Sequence, residues 1–162
     1  MRLALFQPDI PQNLGAAVRL CACLGAPLDV IEPCGFPVSD KGLRRAAMDY
    51  GGLAEVRRHD SWDAFLQARE RAAGRLLLFT TRAAEPYHRF SYAQGDTLLM
   101  GRESAGVPPD VHARAQAWLT IPMAKGARSL NVVAAAAMVL GEALRQVEGF
   151  PGSALPPDRP VG

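Results

Sequence analysis

The stretch IPMAKGARSLNVVAAAAMVLGEALRQ, Ile121 to Gln146, attaches a loop of Gly, Ala, Lys, Arg and Ser to the most apolar helix-like segment of the chain. From Leu130, the positions Val133, Ala134, Ala137, Met138, Gly141 and Leu144 follow helical spacing, while Val132, Ala135, Ala136, Val139 and Leu140 fill the other faces. A helix that is apolar nearly all round has to be covered nearly all round. A single sheet covers one face, so the pattern predicts that a second subunit covers Val132, Ala135, Ala136, Val139 and Leu140 in a two-fold homodimer.

Upstream, short apolar runs alternate with helical stretches: LALF (Leu3 to Phe6), LDVIE (Leu28 to Glu32), RLLLFT (Arg75 to Thr80), TLLMG (Thr97 to Gly101) and WLTI (Trp118 to Ile121). That alternation predicts an α/β domain with a mainly parallel sheet flanked by helices. Asn13 is a good N-cap for a first helix, whose stripe Leu14, Ala17, Val18 and Cys21 runs to a closing Gly25. A second helix starts near Ser61, with Trp62, Phe65, Leu66 and Arg69 at helical spacing, and a short one is expected over Lys41 to Met48. The Pro-rich PGSALPPDRPVG follows Phe150, which gives one domain over 1–150 and a tail over 151–162.

At 162 residues the chain can bury a core without disulfides or a structural metal. Cys21, Cys23 and Cys34 are odd in number and form no CxxC pair, so they read as reduced core thiols, and no metal is expected. The first apolar run breaks at Pro8, too short for a membrane span or a signal segment, and the expectation is a cytoplasmic protein. A net charge of +2 and a pI near 8.6 decide nothing about nucleic acid. Distribution says more, because only Lys41 and Lys125 among 18 basic residues are lysines, and Arg44-Arg45 and Arg57-Arg58 come in pairs. Paired guanidinium forks suit phosphate. A GC-rich coding bias produces the same excess of arginine, and the two readings weigh equally on the residues alone.

Three segments sit where a strand gives way to a loop: PQNLGAAVR (Pro11 to Arg19), LLMGRESAGVPPD (Leu98 to Asp110) and IPMAKGARSLNVV (Ile121 to Val133). Each has a plain structural reading: Asn13 and Ser129 as helix caps, Arg19 as a solubilising charge, and Gly101 to Pro108 as a strand-to-helix turn. A functional reading of the second segment has Gly101 and Gly106 allowing close backbone approach to a ligand and Glu103 accepting from hydroxyls or an amine. The glycines match neither the dinucleotide fingerprint nor the P-loop, which disfavours a Rossmann-type nucleotide enzyme, and Glu32 after the second strand is a lone acid. His59, His88 and His112 fit no triad or ligand spacing.

The order PxNxGxxxR, then MGRESxGVP, then IPMxxxxxSLNVVxAAA resembles the SPOUT, or α/β-knot, superfamily of RNA methyltransferases over Leu3 to Gln146. The segments LxLFQPxIPQNxG, IEPCGF and DKxLRRAAMDY are similar more narrowly to the tRNA 2'-O-methyltransferase family acting on the wobble nucleotide, cytidine or modified uridine 34. The resemblance implies a C-terminal deep trefoil knot and S-adenosylmethionine held among the knot loops by Phe79, Thr80, Gly101, Glu103, Ile121, Met123, Ser129 and Leu130. It implies Arg19 at the substrate ribose, with Asn13 orienting the site, and Lys41, Arg44, Arg45, Arg57 and Arg58 on the backbone of the tRNA anticodon stem-loop. It further implies that the last helix packs on the sheet and against a second subunit. A guanidinium stays charged at neutral pH, so a clamp on the adjacent phosphate suits Arg19 better than the role of general base. Relatives often read YEAWRQ where this chain reads GEALRQ, with Gly141 and Leu144 in place of aromatics. Alternatives are 2'-O-methylation of another tRNA or rRNA nucleotide, and a non-catalytic knotted RNA-binding dimer.

Overall fold

The computed structural model describes residues 1–38, 55–70 and 73–152; the helix expected over Lys41 to Met48 lies outside the described residues, as do Lys41, Arg44 and Arg45 and most of the Pro-rich tail. Seven strands form one sheet: β1 (Arg2–Phe6), β2 (Leu28–Ile31), β3 (Val56–His59), β4 (Leu76–Phe79), β5 (Glu85–Pro86), β6 (Thr97–Met100) and β7 (Ala117–Thr120). Their order is β3-β2-β1-β6-β4-β7-β5, and every pairing is parallel. The helices are α1 (Pro11–Leu24), α2 (Trp62–Arg69), α3 (Pro109–Arg114) and α4 (Val132–Gln146).

Strands β2, β4 and β6 are buried at every position because helices cover both faces, which is why they read as apolar runs interrupted only by Asp29 and Thr97. On one face Leu3, Leu5, Leu28, Val30, Leu77, Leu98 and Met100 pack with Leu14, Val18 and Cys21 of α1 and Ala136, Val139 and Leu140 of α4. On the other, Ala4, Phe6, Ile31, Leu76, Leu78 and Leu99 pack with Phe65 of α2 and Val111 of α3. The strands β3 and β5 were not anticipated. The centre of β3 is Arg57-Arg58, and it holds its edge position through parallel pairing with β2 and the His59 Nε2 to Asp29 Oδ1 contact of 2.8 Å. Only two residues long, β5 contains Pro86, as an edge strand tolerates.

Helix boundaries differ from the expectation in two informative places. α1 begins at Pro11, whose fixed φ suits a first helical position, with extended Ile10 before it, so Asn13 lies inside the first turn and is not the cap. α4 is capped by Asn131 and not by Ser129, the Asn131 Oδ1 accepting from Val133 N at 2.9 Å and Ala134 N at 3.2 Å. Elsewhere Ser61 caps α2, accepting from Ala64 N, and Gly25 closes α1 at φ 63. Of the three thiols only Cys21 is a core residue; Cys23 is exposed and Cys34 half-buried. Glu32 is not a lone acid, since Arg58 reaches it at 2.7 Å.

The apolar helix α4 is covered largely by its own chain. Ala135, Ala136, Val139 and Leu140, expected to await a second subunit, are buried, along with Ala143 and Leu144. The reason is that α4 lies against both the sheet and α1, so two walls cover it where one was assumed. What remains outward is Ala134 and Met138, the latter 41% exposed, with Arg145 beyond them, flanked by half-buried Val133, Ala137 and Gly141. Leu144 is thereby a core residue, whereas a side chain at Gly141 would meet nothing within 4 Å. Leu140→Ala, which empties a fully buried site, is expected to lower the unfolding free energy by about 2–5 kcal/mol. Urea unfolding at fixed protein concentration checks it, and a loss below about 0.5 kcal/mol, typical of a surface change, would mean that Leu140 faces solvent.

Candidate active site

Because all strands are parallel, their carboxyl ends lie on one side of the molecule, where open α/β sheets hold ligands. A cleft of about 420 Å³ opens there beyond β4, β6 and β7. Its walls are Leu78 to Thr81 after β4, Met100 to Glu103 with Gly106 and Val107 after β6, and Thr120, Ile121 and Met123 after β7. Ser129, Leu130, Asn131, Val132 and Ala135 close it from the start of α4, and Ile10 and Asn13 from the start of α1. Phe79, Thr80, Gly101, Glu103, Ile121, Met123, Ser129 and Leu130, drawn from three widely spaced parts of the sequence, thus line a single cleft, and Asn13 lines it too.

The loop after β6 owes its shape to two glycines. Arg102 and Gly106 exchange backbone hydrogen bonds of 2.9 Å in both directions, closing a tight loop around Glu103, Ser104 and Ala105. Gly106 stands at φ 69, and a Cβ on Gly101 would meet the Gly106 carbonyl carbon at 2.7 Å and its Cα at 2.8 Å. Gly101 therefore makes room for the chain's own backbone, a more specific reason than the close approach to a ligand expected from the sequence.

Displaced from the capping role, Asn13 joins a chain of side-chain hydrogen bonds. Asn131 Nδ2 donates to Asn13 Oδ1 at 3.0 Å, Asn13 Nδ2 donates to Glu103 Oε1 at 2.9 Å, and Asp9 N donates to Glu103 Oε2 at 2.8 Å. Each amide has its acceptor side fixed by the donors facing it, so the orientations are mutually determined. The carboxylate of Asp9 accepts from Arg102 Nη2 at 2.5 Å and from Ser104 Oγ at 2.5 Å, and these bonds hold it well below the usual carboxylate range, at about 2. Sequence reasoning missed Asp9, Arg102 and Asn131 as members of this network; a polar residue directly before an apolar run was the available signal for Asn131.

Arg19 is exposed on α1, roughly one and a half turns beyond Asn13 and outside the cleft lining. Arg57 pairs with Glu55 at 2.8 Å and Arg58 with Glu32, both on the far edge of the sheet. Among the described residues no cluster of three or more His, Cys, Asp or Glu side chains could hold a metal ion, and no helix is long and apolar enough to cross a membrane.

Residues 1–141 match the SpoU rRNA Methylase family. A protein of Beijerinckia indica named tRNA (cytidine(34)-2'-O)-methyltransferase is 57% identical over 145 residues, covering 90% of this chain and 91% of its own. A solved structure described as giving structural insights into the 2-OH methylation of C/U34 on tRNA superposes with a TM-score of 0.82 at 42% identity, covering 91% of this chain and 96% of that one. An AdoMet-bound rRNA methyltransferase from Sinorhizobium meliloti superposes at 0.79 with 28% identity, covering 90% of this chain and 56% of that one. With a family match over residues 1–141 and relatives of high identity covering most of both chains, this chain belongs to the SpoU rRNA methylase family.

Proposed function

We propose that the protein is an S-adenosylmethionine-dependent methyltransferase acting on the ribose 2'-hydroxyl of the wobble nucleotide of tRNA, cytidine or modified uridine 34, as a cytoplasmic homodimer. The observation that carries this reading is the convergence of Phe79, Thr80, Gly101, Glu103, Ile121, Met123, Ser129 and Leu130 on one cleft. The relatives named for cytidine-34 methylation support the substrate, and the AdoMet-bound relative supports the cofactor. The cleft also fits the group: its volume suits a small molecule, and apolar walls from Leu78, Val107, Leu130 and Val132 alternate with the polar Thr80, Glu103 and Ser129. We further infer that the segments after β6 and β7 form the trefoil knot that the resemblance implies.

S-adenosylmethionine, when bound, supplies a methyl group on a sulfonium with a good leaving group, so the chain's tasks are in-line positioning of the hydroxyl and removal of its proton. Asn13, fixed between Asn131 and Glu103, orients the ribose side of the cleft. Arg19 clamps the adjacent RNA phosphate, which lowers the hydroxyl's pKa or lets the phosphate take the proton. Lys41, Arg44 and Arg45 contact the anticodon backbone, and Arg57 and Arg58 do so while shared with Glu55 and Glu32. The dimer uses the face of α4 that its own chain leaves outward, Ala134 and Met138 with Gly141 beside them.

Incubating the protein with radiolabelled S-adenosylmethionine and unmodified tRNA should place a 2'-O-methyl group at nucleotide 34, mapped by nuclease digestion and mass spectrometry. Methylation elsewhere would redirect the substrate to another tRNA or rRNA nucleotide. Arg19→Ala is expected to keep cofactor affinity within about twofold while lowering turnover roughly a hundredfold, the pattern of an interaction made in the transition state. Unchanged turnover returns Arg19 to a solubilising role.

Gly101→Val drives a side chain into the Gly106 backbone and is expected to weaken S-adenosylmethionine binding roughly tenfold or more with the fold preserved, as calorimetry and circular dichroism would read. Ala134→Glu with Met138→Glu puts charge on the outward face of α4. Light scattering should then report a monomer where the unmodified protein is a dimer, and an unmodified protein that is monomeric at micromolar concentration removes the interface.

A further inference from the structure

Two loops at the carboxyl end of the sheet, residues 7–10 before α1 and 101–108 before α3, meet at Asp9. Its carboxylate accepts four hydrogen bonds. Oδ1 takes Arg102 Nε at 3.1 Å and Arg102 Nη2 at 2.5 Å, while Oδ2 takes Ser104 N at 3.2 Å and Ser104 Oγ at 2.5 Å. Its own N–H donates to Glu103 Oε2 at 2.8 Å, so one residue engages three consecutive residues of the other loop. A third segment backs it: Gly35 N donates to Pro8 O at 2.9 Å, and a Cβ on Gly35 would meet Asp9 Oδ1 at 2.9 Å and Asp9 Cα at 3.0 Å. Two residues before it, Gln7 stands at φ 47, a left-handed conformation that a non-glycine residue adopts at a cost.

An ionised carboxylate offers about four acceptor sites, and here all four are taken by the protein itself. Asp9 therefore has no site left to receive a substrate proton, and what it provides is relative placement. The two loops it joins are those that matter for transfer: one leads into α1, which carries Asn13 and Arg19, and the other carries Gly101 and Glu103 of the cleft. We propose that Asp9, with Arg102 and Ser104, is a positioning residue for methyl transfer, locking the nucleotide-side segment onto the cofactor-side loop so that donor and hydroxyl share one rigid frame. This rests on the function proposed above. In-line transfer tolerates little misplacement, and a shift of about 1 Å can cost on the order of a hundredfold in rate.

The test uses the full chain, S-adenosylmethionine and a tRNA anticodon stem-loop. Asp9→Ala is expected to lower kcat roughly tenfold to a hundredfold with a smaller change in KM for RNA, and Arg102→Ala to do the same. The double variant should fall no further than the worse single variant, within about twofold, because the pair acts as a unit. Asp9→Glu, which keeps the charge, should regain part of the loss. A kcat for Asp9→Ala within about twofold of the unmodified protein, or single losses that multiply in the double variant, overturns the proposal.

Amide exchange provides a reading independent of turnover. The Ser104 N–H, which donates to Asp9, should exchange roughly tenfold faster or more in Asp9→Ala, and unchanged protection there also overturns the lock. If Asp9→Ala does not fold, Arg102→Ala carries the same kinetic readings and Ser104 exchange is followed in that variant, where faster exchange is again expected. Absence of transfer by the unmodified protein counts against the proposed function alone, since Ser104 exchange still decides the lock.

Discussion

The cleft depends on where the Glu103 carboxylate spends its two oxygens. One accepts from Asn13, ninety residues earlier in the chain, and the other from the backbone of Asp9. A carboxylate only accepts, so each oxygen draws a donor toward it and the three residues fix one another. For Glu103 to reach back that far, the loop after β6 must turn sharply, which Gly106 at positive φ and the bare Gly101 permit. Asn13 in turn must be free of capping, and α1 achieves this by starting two residues earlier at Pro11. The local backbone choices around the cleft are thus consequences of one acceptor's demands.

Asn131 extends the same logic to α4. Its carbonyl caps the helix while its amide donates to Asn13, so a helix end and a cleft wall are set by one side chain. Val132 and Ala135, in the first turn of α4, line the cleft, and Ala136, Val139 and Leu140 bury the rest of the helix against α1 and the sheet. Core packing is far less compressible than a surface loop. The segment Ile121 to Leu130 is therefore held at both ends by rigid elements, β7 and α4, although its own residues are largely exposed.

Much of this was legible in the sequence. The apolar runs marked β1, β2, β4, β6 and β7, since strands covered on both faces are largely apolar and even β7, with Trp118 exposed, keeps a short apolar run; Gly25 and Ser61 marked helix ends by their own chemistry. The edge strands were not legible, since Val56–His59 has arginines at its centre and Glu85–Pro86 is too short to show a period. Two helix starts were misread: α1 begins at Pro11, by proline's own fixed φ, after an Ile10 that supplies no side-chain cap, and α4 is capped by Asn131 in place of Ser129, while Asn13 is engaged in tertiary hydrogen bonds that local propensity does not contain. The covered face of α4 was misjudged because periodicity shows that a face is apolar without showing which neighbour covers it. Asp9 left no trace in any pattern, its meaning lying wholly in partners more than ninety residues away.

The pairing of α1 with α4 on one face of the sheet also has a consequence for biosynthesis. The first of these helices ends at Leu24 and the second is complete only at Gln146, more than a hundred residues later in synthesis. Until then Leu98, Met100 and the flank of α1 lack their cover, and β1 has no neighbour on one side until β6 has been made. Domains with such end-to-end dependence cannot acquire their final core piecewise during translation. Nascent chains of this protein therefore carry exposed apolar surface until α4 has been made, the kind of state that is prone to aggregate.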